Sequence, residues 1–176
     1  GVNVISLHPK LLDLIGVCRD HQISHVAIAG GIPPQKAIDA IKDFGAKVMC
    51  FTPTAALGRR LVRQGVDALI IEGHEAGGHI GPVSTTVLAQ EILPVLRDVV
   101  PVFVAGGIGC GEMILSYLEM GAAGCQLGTR FVCAAESPAH DAFKNAFIRA
   151  AAREAVVTPQ LDPRFPVIPV RALLNE

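Results

Sequence analysis

The sequence has no tryptophan and a single tyrosine, and aromatic residues make up only 5% of the chain. So few aromatic side chains argue against the stacking platform with which many proteins hold single-stranded nucleic acid. An excess of charge of one sign is also missing, because the sequence has 15 lysines and arginines and 16 aspartates and glutamates, and the formal net charge is −1. This balance gives no electrostatic reason to bind nucleic acid or an acidic membrane. We therefore expect no nucleic-acid partner.

Long hydrophobic runs are absent too, although 51% of the residues are apolar. No run approaches the roughly 18 apolar residues of a membrane-spanning helix, so we expect no membrane partner and interpret the apolar segments as strands buried on both faces. The five cysteines are odd in number and never spaced Cys-x-x-Cys. This usage predicts reduced thiols, without a disulfide framework or zinc knuckle, in a cytoplasmic protein. The first residues lack the basic segment and the cleavage site of a signal peptide.

Short apolar runs alternate with amphipathic stretches along the chain. The predicted strands are 2–6, 26–29, 47–51, 68–72, 102–105 and 124–127, and the predicted helices are 10–19, 35–44, 54–63, 85–96, 111–120 and 137–151. Strict alternation requires right-handed parallel crossovers, which leaves an eight-stranded barrel or an open doubly wound sheet. Glycine-rich turns follow several strands and not the first alone, which favours the α/β barrel.

Six strand–helix units are fewer than the eight of a complete barrel. The chain also begins inside an apolar strand at Val2. We therefore expect two further strands to precede Gly1, and we assign residues 1–155 to a partial barrel. Residues 156–176 contain four prolines and are predicted to be an extended proline-rich connector.

The strongest local signal is the segment 72–82, which directly follows a predicted strand and contains four glycines and two histidines. Such a segment lets the backbone approach a flat or phosphorylated ligand closely. His74 and His79 are five residues apart with two glycines between them, which does not match the His-Glu-x-x-His helix of a zinc site. We expect no metal. A glycine-rich turn carrying a solvated histidine is the alternative interpretation.

Two later strands also end in glycine turns. The first runs through Val102-Phe103-Val104-Ala105 into Gly106-Gly107, and the second runs from Gly124 to Gly128-Thr129. Backbone N–H groups at such turns bind phosphate, aided by the dipole of a following helix. Neighbouring barrel strands bring their turns to one rim, so the two motifs together predict a phosphate site.

The order of these motifs resembles the nitronate monooxygenase (2-nitropropane dioxygenase) family, which is similar to the FMN-dependent enoyl-ACP reductases. The resemblance runs from residue 1 to about residue 175 and is carried by Gly1-Val2-Asn3, Ala29-Gly30-Gly31, Ile71-Glu72-Gly73-x-Glu75-Ala76-Gly77-Gly78-His79-x-Gly81, Val104-Ala105-Gly106-Gly107-Ile108 and Gln126-Leu127-Gly128-Thr129-Arg130-Phe131. It implies a (β/α)8 TIM-type barrel with FMN as cofactor, of which this chain supplies six of the eight units. Glu72 stands where nitronate monooxygenases often have glutamine.

The resemblance also implies which residues would contact FMN. Asn3 would contact the flavin or its ribityl chain, and Gly77 and Gly78 would lie near the isoalloxazine and the ribityl hydroxyls. The residues that would hold the phosphate follow the last two strands, and they are Gly106, Gly107, Gly128 and Thr129, with Gln126 nearby.

His79 is the predicted catalytic residue. An imidazole titrates near neutral pH, which suits removal of the α-proton of a nitroalkane or proton donation to an enoyl thioester. The resemblance implies oxidation of alkyl nitronates or nitroalkanes by O2 to a carbonyl compound and nitrite. The alternatives are an enoyl-thioester (enoyl-ACP) reductase that uses NAD(P)H and an inactive flavin- or phosphate-binding barrel fragment. The expected partners are a small-molecule substrate and O2, and a homodimer is left open.

Overall fold

The computed structural model describes residues 1–158 and 169–174, which contain nine strands. In chain order these are β1 (Val2–Ile5), β2 (His25–Ala29), β3 (Lys47–Phe51), β4 (Ala68–Glu72), β5 (Gly78–His79), β6 (Val102–Ala105), β7 (Gly124–Gln126), β8 (Ala155–Val157) and β9 (Val170–Leu173). Six of them form one sheet in the order β1-β2-β3-β4-β6-β7, and every neighbouring pair is parallel. The predicted α/β class and its six strand–helix units are therefore confirmed.

Seven α-helices occur among the described residues. They are α1 (Leu11–Asp20), α2 (Gln35–Asp43), α3 (Ala55–Arg63), α4 (Thr85–Leu96), α5 (Gly111–Glu119), α6 (Thr129–Val132) and α7 (Asp141–Arg149). Helices α3 and α4 begin where a hydroxyl caps the first turn, because Thr54 Oγ1 accepts from the Leu57 N–H and Ser84 Oγ accepts from the Val87 N–H. The helix predicted at 137–151 is shorter than expected, and α6 was not predicted. None of the described helices is long and apolar enough to cross a bilayer.

The two faces of the parallel sheet differ in burial. In β2 and β3 every second residue is completely buried, namely Val26, Ile28, Val48 and Cys50. These residues belong to the core that the sheet forms with the helices, and a fully buried valine or isoleucine contributes about 1.5–3 kcal/mol. The alternate positions, such as Met49, are only partly buried. They lie on the opposite face, which we call the inner face of the sheet.

Strand β4 runs through the middle of the sheet, between β3 and β6. Its residues Ala68 to Ile71 are all buried, and Glu72 at its carboxyl end is half-buried. At its amino-terminal side, Asp67 joins neighbouring elements: it accepts from the Val48 N–H at 2.9 Å and pairs with Lys42 at 2.9 Å and Lys47 at 3.2 Å. Ion pairs therefore stabilise the amino-terminal edge of the sheet, whereas the glycine turns lie at the carboxyl edge.

A second, antiparallel sheet of order β5-β9-β8 lies next to the glycine-rich loop that follows β4. Gly78 is paired with Arg171 and His79 with Val170. The Ile80 N–H extends this pairing by donating to Pro169 O at 2.9 Å. The sequence predicted only an extended connector for 156–176. Its described part is extended, but it returns to the loop after β4 and pairs there, while residues 159–168 lie outside the described residues.

Candidate active site

One large cavity opens at the carboxyl ends of β4, β6 and β7. Its volume is about 1190 Å³, which exceeds the roughly 300–1,000 Å³ typical of small-molecule pockets. Seven of the eight residues predicted to contact a cofactor line it: Gly77, Gly78, Gly106, Gly107, Gln126, Gly128 and Thr129. The loop after β4 and the turns after β6 and β7 therefore meet at one space, as parallel strands at the same edge of a sheet require.

The turn after β6 can be formed only by glycines. Gly106 has φ +107° and Gly107 has φ +71°, in the left-handed region that other residues avoid. A Cβ atom at Gly106 would lie 2.8 Å from Thr85 Oγ1, and one at Gly107 would lie 2.8 Å from Glu75 Cβ. This turn is therefore packed directly against the loop after β4 and against the start of α4.

Several backbone donors of the two turns are free. Within residues 1–158 and 169–174, the N–H groups of Gly107, Ile108, Gly128 and Thr129 find no hydrogen-bond acceptor. All four residues line the cavity. No Cβ contact within 4 Å would restrict Gly128, so the space beside it is open. Free amide donors beside a space without side chains are the features with which proteins bind phosphate oxygens.

Glu75 is used to hold the loop in place. Its Oε2 atom accepts hydrogen bonds from the N–H of Thr85 at 2.8 Å and from the Thr85 hydroxyl at 2.9 Å. Partial burial opposes ionisation of this carboxyl, but the two hydrogen bonds from Thr85, together with its own backbone N–H and the nearby His74, hold its pKa below the usual range. The Glu75 carboxylate is therefore occupied by hydrogen bonds from the first residue of α4.

Glu72 is a second carboxylate of the cavity wall, and its environment differs from that of Glu75. It lines the cavity at the end of β4, and its Cα is paired across the sheet with that of Ala105, which is paired in turn with Gln126. No hydrogen bond or ion pair holds its carboxylate among the described side chains. Burial raises the pKa of Glu72 to about 7. No local sequence pattern indicates a role for Glu72, because its environment depends on β6 and β7, which are distant in sequence.

The structure leaves two of the predicted site residues outside the cavity wall. His79 lies in β5 beside Gly78, but its side chain is exposed and does not line the cavity. Asn3 lies on the edge strand β1, is exposed and does not line the cavity either. The neighbouring His74 is held by Gly81, whose carbonyl lies 3.1 Å from Nδ1. The roles predicted for Asn3 and His79 stay predictions.

Part of the cavity wall comes from residues that sequence reasoning missed. Arg171 on β9 donates from Nε to His74 O at 3.1 Å and from Nη1 to Ala155 O at 2.8 Å. Phe143 and Phe147 of α7 contribute an apolar side, with their rings 4.9 Å apart and edge to face. Arg171 and His74 are 97 residues apart in sequence, so no local pattern could indicate their contact. No group of three His, Cys, Asp or Glu side chains among the described residues could hold a metal ion.

Comparison with known proteins identifies the family. The sequence model described as nitronate monooxygenase matches residues 10–176. The chain belongs to the nitronate monooxygenase family. The resemblance inferred from the motifs is thereby confirmed.

Curated relatives cover several activities. The chain is 31% identical to a nitronate monooxygenase of Pseudomonas aeruginosa over 163 residues, which are 89% of this chain and 46% of the relative. It is 37% identical to a Mycobacterium tuberculosis protein over 131 residues, 74% of this chain and 37% of the relative. That protein is named (3aS,4S,5R,7aS)-5-hydroxy-7a-methyl-1-oxo-octahydro-1H-indene-4-carboxyl-CoA dehydrogenase. The chain spans less than half the length of the curated relatives it matches, from 37% to 48%.

Two solved structures share the fold over almost the whole of this chain. FabK from Thermotoga maritima is 38% identical with a TM-score of 0.86, and the match covers 98% of this chain and 53% of that one. Nitroalkane oxidase from Streptomyces ansochromogenes is 25% identical with a TM-score of 0.79, covering 99% and 61%. These are TIM-type barrels, so the predicted barrel class is confirmed.

Proposed function

We propose that this protein is an FMN-dependent oxidoreductase that oxidises alkyl nitronates or nitroalkanes with O2 to a carbonyl compound and nitrite. The observation that carries this proposal is the convergence of three glycine-rich segments on one cavity, with backbone N–H groups at two of them that find no acceptor within residues 1–158 and 169–174. Membership of the nitronate monooxygenase family supports it. The small-molecule substrate and O2 are the partners this activity requires.

The cavity fits the phosphate of FMN by its own geometry. Side chains are excluded at Gly106 and Gly107, and the open space beside Gly128 adjoins free amide donors. The residues that would hold the cofactor are Gly77, Gly78, Gly106, Gly107, Gln126, Gly128 and Thr129. Asn3 would join them, by the resemblance alone. When bound, FMN would supply the electron chemistry between the substrate and O2, and the protein would supply position and electrostatics.

The chain's own side chains suit a small anionic substrate. Arg130, Arg149 and Arg171 line the cavity and would stabilise a negative charge within it. Phe143 and Phe147 would contribute an apolar side to the same wall. A neutral nitroalkane must also lose its α-proton, and two residues could take it. His79 follows from the sequence motif and lies beside the cavity, whereas Glu72 lines it.

A second candidate function is reduction of an enoyl thioester with NAD(P)H. The 37% identity to a relative named as a carboxyl-CoA dehydrogenase supports a thioester substrate. In this reaction the flavin would be reduced by the nicotinamide and not by the substrate. The two functions therefore differ in what reduces the flavin.

An anaerobic flavin-reduction experiment separates the candidates. The FMN-loaded protein is mixed with a preformed nitronate or with NADH, and the flavin absorbance is followed before O2 is admitted. We expect bleaching by the nitronate alone and nitrite after O2 enters. Bleaching by NADH, followed by reduction of an enoyl thioester, would support the second candidate. A protein that retains no flavin, or whose flavin neither reagent reduces, would support the inactive barrel.

A further inference from the structure

A side pocket of about 660 Å³ opens beside the large cavity, between α5 and α6. Five residues line both spaces, and they are Gly109, Leu127, Arg130, Cys133 and Ile148. The side pocket is therefore continuous with the large cavity next to the proposed phosphate site. Two residues that carry a thiol line the side pocket, namely Cys110 and Cys133.

We propose that this pocket is a site of reversible oxidation, at which hydrogen peroxide converts Cys110 and Cys133 into a disulfide, and that the bridge weakens binding of the flavin phosphate. The effect on the flavin rests on the proposed function, whereas formation of the bridge does not. The concentration of peroxide would thereby control how much of the protein carries its cofactor.

Each cysteine follows one of the two glycine turns whose N–H groups find no acceptor among the described residues. Cys110 precedes the first residue of α5 and comes three positions after Gly107. Cys133 directly follows α6 and comes four positions after Thr129. So short a segment between turn and thiol cannot absorb a large displacement. A shift of either cysteine therefore reaches the amide groups proposed to hold the phosphate.

The five cysteines differ in their access to an oxidant. All are free thiols, but Cys18 and Cys50 are buried, whereas Cys110 is exposed and Cys133 is half-buried. The reacting form of a cysteine is the thiolate. Burial raises the pKa of Cys50 to about 12 and also raises the pKa of Cys125, which disfavours the thiolate in both. Exposure therefore directs peroxide to the two cysteines of the side pocket.

The end of α6 is the part that can move. This helix has four residues, and none of its side chains is buried. The Cys133 thiol donates only weakly, to Lys144 O at 4.0 Å. Cys110 is fixed more firmly, because Tyr117 anchors α5 in the core and is 2% exposed. A disulfide holds its two Cα atoms about 5.5–6 Å apart, so closing it would draw the end of α6 toward α5 and the Thr129 N–H away from the phosphate.

The oxidation balances with one molecule of hydrogen peroxide. The sulfur of Cys110, the more exposed thiol, attacks a peroxide oxygen, so that an S–O bond forms, the O–O bond breaks and the leaving hydroxide takes the thiol proton to become water. The sulfur of Cys133 then attacks the sulfenic sulfur, the S–S bond forms, and a second water leaves with the second thiol proton. Two thiols are oxidised to one disulfide, and the peroxide is reduced to two waters.

The test measures the bridge and the flavin separately. Protein treated with hydrogen peroxide should lose about 2 Da, the mass of two hydrogen atoms. Trypsin should then release peptide 98–130 linked to peptide 131–144, which contain Cys110 and Cys133. We expect the FMN affinity, followed by fluorescence titration, to fall at least ~10-fold, because an amide hydrogen bond to a charged phosphate is lost. Dithiothreitol should restore both the mass and the affinity.

Serine substitutions provide the controls. Cys110→Ser and Cys133→Ser should not lose this mass and should bind FMN equally well before and after peroxide. Cys125→Ser is the matched control, because Cys125 lies in the same tryptic peptide as Cys110. This variant should form the bridge and lose FMN affinity as wild type does, whereas a linkage that disappears in Cys125→Ser would assign the bridge to the wrong cysteine and overturn the proposal.

Three other results would contradict the inference. Peroxide that adds about 32 Da to one cysteine and forms no bridge would show that the thiols oxidise independently to sulfinic acid. A bridge that leaves the FMN affinity unchanged would remove the effect on the cofactor. Reduced wild type that binds no FMN would reject the proposed cofactor site itself and the effect on it, whereas tight FMN binding without a bridge would reject this inference alone.

Discussion

Thr85 donates to Glu75 twice, from its backbone N–H at 2.8 Å and from its hydroxyl at 2.9 Å, and both bonds end on the same carboxylate oxygen. Thr85 is the first residue of α4 and is only 2% exposed. Its hydroxyl oxygen also lies 3.2 Å from Gly106 O. One carboxylate therefore fixes three parts of the site relative to one another: the loop after β4, the start of α4 and the glycine turn after β6.

Replacing Glu75 with glutamine should loosen this arrangement. The substitution keeps an oxygen acceptor but removes the negative charge at the first turn of α4, where it interacts favourably with the helix dipole. We expect the free energy of unfolding at pH 7 to fall by about 1–2 kcal/mol, measured by chemical denaturation.

Two comparisons check that explanation. Because the hydrogen bonds from Thr85 lower the pKa of Glu75, the ionised form stabilises the fold, and the loss should shrink as the pH falls through the usual carboxyl range. Glu91→Gln, on the exposed side of α4, should change stability by less than about 0.5 kcal/mol. Equal losses in both variants would show that Glu75 has no special part in the site.

A methyl group at Gly106 should damage the cofactor site. The Cβ atom would lie 2.8 Å from Thr85 Oγ1 and 3.2 Å from the backbone nitrogens of Gly73 and Ala76, and the residue has φ +107°. Since backbone atoms cannot yield as a flexible side chain does, we expect Gly106→Ala to cost about 2–3 kcal/mol of stability and at least ~10-fold in FMN affinity. Flavin titration followed by fluorescence measures the affinity.

Gly16 provides the matched control for Gly106. It lies inside α1, and no atom comes within 4 Å of the position of an added Cβ. Alanine there should leave FMN affinity unchanged and should stabilise the protein by about 0.5–1 kcal/mol, because alanine is the better helix former. An FMN affinity lowered equally by both substitutions would contradict the proposed phosphate site.

Arg171 should hold the antiparallel sheet against the cavity. Its guanidinium donates to His74 O and Ala155 O at once, through Nε and Nη1. Lysine keeps the charge but has a single flexible ammonium group, which cannot reproduce this fork. We expect Arg171→Lys to speed hydrogen exchange of the amides in β5 and β9 about tenfold, with little change in the parallel sheet. Arg153→Lys, on the exposed 3-10 turn, should leave these amides unchanged.

The parallel sheet was predictable because each element carries its own signal. The apolar runs of β3, β4 and β6 agree with the predicted bounds at both ends, since each run is bounded by residues that favour turns or strand ends. Thr54 and Ser84 mark the starts of α3 and α4 by local capping. The glycine turns follow directly from the strands, and parallel packing brings them to one edge.

The second sheet and the acid–base residues required contacts that no local pattern contains. The position of His79 depends on pairing between β5 and β9, whose residues are almost a hundred positions apart. The environment of Glu72 is set by its neighbours on β6 and β7 and by burial, so the sequence showed an acidic residue at a strand end but not its acidity. The histidine of the motif was therefore the natural prediction, and the carboxylate became a candidate only in three dimensions.

The raised pKa of Glu72 predicts an opposite pH dependence of stability from that of Asp67. Burial raises the pKa of Glu72 to about 7 from an ordinary value of 4.5, so the fold favours the protonated form. Its stabilising effect is complete below the ordinary pKa and is lost as the pH rises through about 7. Glu72→Gln should therefore match wild type near pH 4 and exceed it by about 1–2 kcal/mol at pH 8, after allowance for its partial exposure.

Asp67→Asn is a control for which the opposite pH dependence of stability is expected. Although partial burial opposes ionisation, the hydrogen bond from Val48 and the ammonium groups of Lys42 and Lys47 hold the pKa of Asp67 below its usual 3.8. Its contribution is present above that value and lost as the pH falls through the lowered pKa, so Asp67→Asn should be less stable than wild type at pH 8. Denaturation from pH 4 to 8 follows both variants. A Glu72→Gln protein that is no more stable than wild type at pH 8 would mean that burial does not oppose ionisation of Glu72, and the carboxylate would then lack the acidity that suits it to proton transfer.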